Sequence, residues 1–589
     1  ATLANVRRRD GAAGAAEGPR MQKFLVAGAA TTVAVGVAWY LRRRALAAEH
    51  GQCGHQESAA TESMTTALAG GSAPPEAVSA VGTESSRARA WERLQGFEEA
   101  GLRERIRSRS KTQMYFINPH TVIDDRIVIA MVGLPARGKS YISRRLSQYL
   151  SFFYNVPCKM FNVGDYRRKK AANGFQDAEF FNTNNATAMA LRREATEAAM
   201  QDLCIWMKET CTEPKGLQNA DGSPGPTPPE DGHTFVSGDF GAVAMFDATN
   251  TTRERRRWVI ERSKETGAKV IFIESILTDE EVITKNILAS KVGVKDYCGI
   301  DEEQAVADFR ERIAHYESVY ESVSEKDLSW IKLIDGGREM ACNNIRGFLP
   351  TRIMTFLLNL HISRSPFYFT RHGQSEYNEY GQIGGDSGLT ERGEEYATAL
   401  GKWVSENISC PNGVPQPARL WTSTMRRTVQ TARHIAHQRL EGPGGVEWIN
   451  MRPKAFKNLD EIYAGVCDGM TYEEIAQVYP EEAAARKADK FGYRYPRGES
   501  YIDLINRLEP IAHEMERQRE PLLVVAHQAI LRVLYAYFTG MRREECVKVS
   551  IPLNMVIKIT PTSTGFNEER FHPIGDCMLD PHLLDPASH

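Results

Sequence analysis

The chain has 589 residues, 42% of them hydrophobic and 25% charged, which is room for several units of about 150 residues and excludes a wholly disordered or fibrous protein. Its 73 Lys and Arg nearly balance its 75 Asp and Glu, for a net charge of -2, so no broad field gathers nucleic acid and anionic ligands must be caught by local clusters. The ten cysteines form no C-x-x-C pair and in a chain of this size read as thiols of a reducing compartment.

Residues 1–111 are rich in Ala, Gly, Ser and Glu and poor in aromatics, a composition that buries too little apolar surface to offset its ordering entropy and predicts a mostly disordered extension. Within it Phe24 to Leu41 carries no charge over 18 residues and is followed by Arg42, Arg43 and Arg44. That pattern fits a membrane tether with the rest of the chain in the cytosol, a targeting signal, or a loosely packed helix. Met21 offers an alternative start.

From residue 112 short apolar runs alternate with helical periodicity. Arg126 to Val132, Ala242 to Phe246, Lys269 to Ile273 and Trp330 to Ile334 read as buried strands, with amphipathic stretches such as Ala305 to Val323 between them. This predicts an α/β domain with a parallel sheet over 112–360. The stretch 212–232 holds five prolines and no apolar periodicity, and reads as a surface insertion. A connection near Leu349 to Arg364 leads to a second α/β domain over 365–562. Its strands are Phe367 to Thr370, Arg419 to Thr422 and Leu522 to Ala526, and its helices Glu391 to Ser405, Met425 to His437, Tyr501 to Met515 and Ala529 to Phe538. Residues 563–589 read as a polar tail.

In the first domain Gly133-Leu-Pro-Ala-Arg137-Gly138-Lys139-Ser140 matches G-x-x-x-x-G-K-[ST] between a strand and a helix, the context a P-loop requires. Backbone N–H groups of such a loop close around a triphosphate, Lys139 bridges its outer phosphates and Ser140 can ligate Mg²⁺. A glycine turn entering a helix would give the same letters without a ligand; the flanking elements favour the nucleotide. Asp247 ends the strand AVAMF at the sheet edge where ligands sit. It can hold Mg²⁺ or take the proton of an attacking hydroxyl, or simply cap the next helix. Arg167, Arg168, Arg192 and Arg253 could hold a phosphorylated acceptor, because Arg pairs phosphate bidentately. Taken singly they are solvated surface charges.

In the second domain Thr370-Arg371-His372-Gly373 follows a strand directly. A His so placed can attack phosphorus through a ring nitrogen, while Arg371 neutralises phosphate charge and Gly373 permits close approach. Arg426 and Arg427 follow the strand RLWT and offer a second clamp. Glu461 is a candidate proton donor to a leaving oxygen, and His527 ends the strand LLVVA. A lone His in such a place is usually a satisfied core residue; two at strand carboxyl ends point to phosphoryl chemistry.

Together GLPARGKS, FNVGDYRR and FDATNTTRER, followed by TRHGQSEYN, IGGDSGLTERG, TSTMRRTVQTA, LDEIYAGVCDGMTYEEI, YRYPRGESY and VVAHQAILR, closely resemble the bifunctional 6-phosphofructo-2-kinase/fructose-2,6-bisphosphatases, from about Met114 to Thr560. The resemblance implies a P-loop kinase domain that transfers phosphate from MgATP to the 2-hydroxyl of fructose 6-phosphate. It implies a histidine phosphatase (phosphoglycerate mutase-like) domain that hydrolyses fructose 2,6-bisphosphate through a phosphohistidine. By motif it makes His372 the nucleophile, Glu461 the acid and base, and His527 with Arg371 and Arg427 the stabilisers of the moving phosphoryl group, joined by Asn378 and Gln528. It places Tyr472, Arg486, Lys490, Arg494 and Tyr501 on the other sugar phosphate, Arg167, Arg168, Arg192 and Arg253 on fructose 6-phosphate, and Lys291 near the nucleotide. Gln374 and Tyr463 stand where many members carry Glu and Asp.

Three rival readings keep the motifs but change the outcome. One half alone could be active. A membrane-tethered nucleotide and sugar-phosphate sensor would bind without turnover, although it would need neither nucleophile nor acid. A mutase would return the phosphate to sugar. Reduced cysteines and the supply of ATP and hexose phosphates place the catalytic domains in the cytosol, with or without the membrane tether; the sequence leaves a homodimer open and gives nucleic acid no role.

Overall fold

The computed structural model describes residues 125–170, 177–182, 184–212, 241–288, 301–360, 365–442, 445–562 and 565–575. The extension 1–111 with its apolar segment 24–41, nearly all of the insertion 212–232, Lys291 and most of the tail lie outside the described residues. Among the described residues no helix is long and apolar enough to cross a membrane.

The first half runs β1 (Arg126–Val132), α1 (Lys139–Tyr154), β2 (Cys158–Asn162), α2 (Val163–Lys170), α3 (Ala186–Thr212), β3 (Ala242–Asp247), α4 (Arg253–Ser263), β4 (Lys269–Ile276), α5 (Glu280–Ile287), α6 (Glu302–Glu317), β5 (Ser329–Ile334), β6 (Glu339–Asn343) and α7 (Phe348–Asn359). Six strands form one sheet in the order β2-β3-β1-β4-β5-β6, parallel except for β6. Ile127 through Val132 are wholly buried. Ile127, Ile129 and Met131 pack into one core and Val128, Ala130 and Val132 into another, as expected of a strand covered on both faces.

The second half runs β7 (Phe367–Arg371), α8 (Glu376–Glu379), α9 (Glu391–Val404), β8 (Arg419–Thr422), α10 (Arg426–Ala432), β9 (Arg439–Glu441), β10 (Glu447–Ile449), β11 (Arg452–Ala455), α11 (Tyr472–Val478), α12 (Pro480–Ala488), α13 (Tyr501–Glu516), β12 (Leu522–Ala526), α14 (Gln528–Thr539), β13 (Val556–Pro561) and β14 (Phe566–Phe571). The main sheet is ordered β11-β8-β12-β7-β13-β14, with β13 antiparallel to both of its neighbours, β7 and β14. The chain beyond Thr562, expected as a polar tail, thus supplies an edge strand. Phe566 and Phe571, five positions apart, lie on opposite faces and pack against different cores, and the polar residues between them leave no apolar run to betray the strand.

The stretch near Leu349 to Arg364, expected as a connection, contains helix α7, whose Leu349, Ile353, Phe356 and Leu357 are wholly buried. One hydrophobic core runs from Ile127 through α1 and α7 to α13, α14 and Val524, so the described residues form one compact unit. Tyr149 of α1 stacks on Phe356 at 4.4 Å and donates to Glu509 of α13 at 2.7 Å. Arg145 of α1 pairs with Glu516 of α13.

Candidate active sites

In the first sheet the chain leaves β1, passes over β3 to form β2 and then returns to β3, so the connections diverge between β1 and β3, and ligands of open α/β sheets bind beyond the strand ends at such a point. The loop 133–138 leaves β1 there and Asp247 ends β3. Gly133 is obligatory: its φ is +134° and an added Cβ would lie 2.5 Å from the Ser275 carbonyl. The Gly133 N–H donates to Thr249 O at 3.0 Å, and Asn250 donates to Met131 O at 2.8 Å, which ties the two strand ends together. Ser275 holds the Arg137 carbonyl at 2.5 Å.

Asp247 is buried and accepts from the Ser140 hydroxyl at 2.6 Å and from the Asn162 amide at 2.5 Å. Lys139 folds back on its own loop, donating to Leu134 O at 2.6 Å. A hydroxyl and a carboxylate in contact at the head of a P-loop suit a hard, oxygen-preferring cation. Among the described residues no cluster of three His, Cys, Asp or Glu could hold a metal ion alone, so such a cation would take its other ligands from phosphate and water.

These groups line a cavity of about 780 Å³ together with Arg137, Arg167, Arg168 and Arg192. Arg167 and Arg192 approach the Phe181 ring at 4.9 and 5.9 Å. Arg168 lines the cavity while paired with Asp165 at 2.5 Å. Arg253 is not brought in: its guanidinium turns to Ser324 and Glu321 outside the lining. Two of the lining arginines that the sequence did not single out stand against its wall. Arg255, its pKa lowered to about 10 by burial, lines the wall, and Arg312 lies 3.7 Å over Phe181. Arg255 sits two residues from Arg253, and helical phase decides which of them faces the cavity.

In the second sheet β7 and β12 are adjacent, with Ala526 paired to Arg371, so His372 and His527 leave the sheet side by side. Their ring centroids are 5.2 Å apart. Gly373 makes room, since a Cβ there would meet Gly393 O at 2.5 Å. His372 is 3% exposed, and its Nδ1 lies 2.7 Å from Gly373 O, which only a protonated nitrogen can satisfy. Nε2 is then the basic nitrogen. Burial, then Arg427 and Arg371, hold the His372 pKa well below the usual histidine value, so the ring is neutral and nucleophilic at pH 7. His527 is lowered in the same way, and its Nε2 meets Ser423 Oγ at 2.8 Å. Ser423, one residue past β8, was not singled out in the sequence.

Arg427 donates to Gly385 O at 2.7 Å, and its pKa is lowered by burial. Arg371 donates to Ile551 O at 3.1 Å. Asn378 is engaged locally with Ser375, and Gln528 opens α14. Glu461 accepts from its own Ile462 N–H at 2.9 Å, and Asp460 beside it accepts from Thr424 N and Oγ1 at 2.7 and 2.8 Å. Of the residues expected at a second sugar phosphate, Arg486 donates to Tyr472 at 3.0 Å. Arg494 forms a bidentate pair with Asp503, while Tyr501 is buried beside Arg532, its pKa pushed up to about 12 by that burial. Lys490 is half-buried. Gln374 accepts from Thr390 at 3.1 Å and Tyr463 is 52% exposed.

A P-loop phosphotransferase is thus joined to a phosphatase built around a neutral histidine. Residues 117–213 and 230–364 match the 6-phosphofructo-2-kinase family, and residues 367–572 match the histidine phosphatase superfamily (branch 1). The chain is 40% identical to 6-phosphofructo-2-kinase/fructose-2,6-bisphosphatase 3 of Rattus norvegicus over 76% of its length and 72% of that protein. It is 40% identical to the Gallus gallus 6-phosphofructo-2-kinase/fructose-2,6-bisphosphatase over 79% and 87% respectively. An alpha-ribazole phosphatase from Shigella flexneri aligns with 35% of the chain and 96% of its own, at 21% identity and a TM-score of 0.30. The chain belongs to the 6-phosphofructo-2-kinase/fructose-2,6-bisphosphatase family, and is a bifunctional enzyme with both catalytic domains.

Proposed function

We propose that the first site moves the γ-phosphoryl group of MgATP to the 2-hydroxyl of fructose 6-phosphate and the second removes it as inorganic phosphate. The observation that carries the reading is the neutral His372 beside His527 at paired strand ends, in one chain with a P-loop whose Ser140 meets Asp247. Lys139 leaves its loop carbonyl to neutralise the transferring group. Ser140 and Asp247 would hold Mg²⁺, whose charge would offset that of the phosphates, and Asp247 would accept the proton of the attacking hydroxyl. Arg167, Arg168 and Arg192, with Arg255 and Arg312, hold the sugar phosphate.

In the second site His372 Nε2 attacks phosphorus and Glu461 protonates the leaving sugar oxygen. Arg371, Arg427 and His527, with Asn378 and Gln528, hold the phosphoryl oxygens. Tyr472, Arg486, Lys490, Arg494 and Tyr501 hold the other phosphate, and Glu461 then deprotonates the water that opens the phosphohistidine. Incubation with MgATP and fructose 6-phosphate should give fructose 2,6-bisphosphate. Labelled fructose 2,6-bisphosphate, quenched in alkali, should leave phosphate on His372. Label on His527 instead would overturn the assignment. The cytosol is the proposed location, since among the described residues every cysteine is a thiol outside any disulfide and ATP and hexose phosphates are available there. A tether through 24–41 is tested by fractionating the full chain beside one starting at Thr112: both remaining soluble would rule it out.

A further inference from the structure

The loop that presents Glu461 has little regular structure of its own: Lys457–Leu459 is a single turn and residues 460–464 belong to no helix or strand. Its backbone carbonyls converge instead on one side chain. Arg507, on the second turn of α13, donates to Lys457 O at 3.4 Å, Asn458 O at 3.1 Å, Asp460 O at 2.9 Å and Glu461 O at 3.5 Å. Asn458 answers by donating its side-chain amide to Arg507 O at 2.8 Å. The far side is fixed too, because Glu499 accepts from both Arg507 at 3.0 Å and the Tyr463 N–H at 3.1 Å.

We propose that Arg507 is the positioning residue of the bisphosphatase acid, setting the aim of Glu461 at the leaving oxygen without touching substrate. The proposal rests on Glu461 being that acid. Five N–H donors in a rigid plane can meet several carbonyls and a carboxylate at once, whereas the three donors of a flexible lysine cannot keep that geometry. Asp460, held by Thr424, pins the same turn to the loop that leads into α10 and its Arg427. An error of about 1 Å in the acid is enough to weaken proton transfer heavily.

The step at stake forms the bond from His372 Nε2 to phosphorus and breaks the bond from phosphorus to the sugar oxygen, which takes the Glu461 proton. A p-nitrophenyl phosphate undergoes the same attack, but its phenolate leaves as a stable anion and takes no proton. Loss of aim should therefore be selective. In Arg507→Lys, which keeps a cation facing Glu499 and so protects the fold, phosphohistidine formation from fructose 2,6-bisphosphate should slow by about 10²-fold. KM should stay within about twofold, because Arg507 makes no substrate contact, and formation from p-nitrophenyl phosphate should change by less than about threefold. Arg507→Ala should show the same selectivity more strongly, with the kinase activity of each preparation reporting an intact fold.

Equal loss on both substrates, or loss on neither, would overturn the proposal. Glu461→Gln, measured beside it, separates the two layers of the argument. If that variant is selective and Arg507→Lys is not, Arg507 alone is wrong. If Glu461→Gln slows both substrates alike, Glu461 is not the acid and the proposal goes with it.

Discussion

In the first half the groups proposed to meet phosphate line a cavity of about 780 Å³ and are held by near neighbours, Lys139 on Leu134 O and Asp247 by Ser140 and Asn162. In the second half His372 and His527 are 3% and 0% exposed and kept neutral by burial and two arginines. The difference follows from the chemistry. A transfer between two bound substrates needs room for both and charge that the phosphates themselves draw into place. A nitrogen nucleophile needs its lone pair, and a buried, cation-flanked site removes the proton that would occupy it.

The sharpest break in the comparison is His372→Ala. Bisphosphatase turnover and phosphoenzyme should fall to the limit of detection while 6-phosphofructo-2-kinase activity persists, read as separate rates of synthesis and breakdown. Glu461→Gln should leave the nucleophile in place and slow bisphosphatase turnover by about 10²–10⁴-fold. Lys139→Met should lower kinase activity by about 10²–10³-fold, the usual loss when a preorganised charge is removed from a transition state, and spare the bisphosphatase. Parallel loss of both activities in a folded Lys139→Met protein would contradict two independent centres.

The enclosed site should also announce itself in pH. The proposed nucleophile His372 would react as the neutral ring, and its pKa lies well below the usual value, so phosphoenzyme formation should continue as pH falls through about 6.5. Stability moves the other way. Unfolding lets both histidines take up protons between their native and ordinary values, so the chain should lose stability as pH falls below about 6.5. Glu509 acts in a lower window. Burial raises its pKa, but the hydrogen bonds with His513, Tyr154 and Tyr149 outweigh that and hold it at about 2. Its contribution is whole above the ordinary carboxylate value and fades as pH drops from about 4.5 towards 2. The smallest effect expected is at this seam: Glu509→Gln should cost about 1–3 kcal/mol, measured by thermal unfolding, with both active sites still assembled.

Strands buried on both faces were legible. Arg126 to Val132 is read from its apolar run and found with the same bounds, and the runs at Phe367, Arg419 and Leu522 fall within a residue of β7, β8 and β12. Most of the strands that went unread have a face to solvent, β13 with its buried Val556, Ile557 and Ile559 excepted. β11 (Arg452–Ala455) is exposed throughout and β2 (Cys158–Asn162) buries only Phe161 fully, so neither shows an apolar run. The helix expected over Met425 to His437 closes at Ala432, since propensity carries further than the packing that sustains it.

What the sequence by itself determined was the chemistry available: the P-loop, with its glycines where the backbone must turn and approach closely, the histidines at strand ends, and the family that this order of motifs defines. Local rules suffice there, because a motif and its flanking strand and helix lie within a few dozen residues. Tertiary structure alone decided which of those groups meet. The pairing of β7 with β12 sets His372 beside His527 across 155 positions of sequence. Helical phase puts Arg255 and not Arg253 on the cavity wall. The fold of α13 against the loop before it brings Arg507 to the carbonyls around Glu461. The first and last of these are contacts between segments far apart in the chain, and it is burial in a shared core, not any local pattern, that fixes their distance.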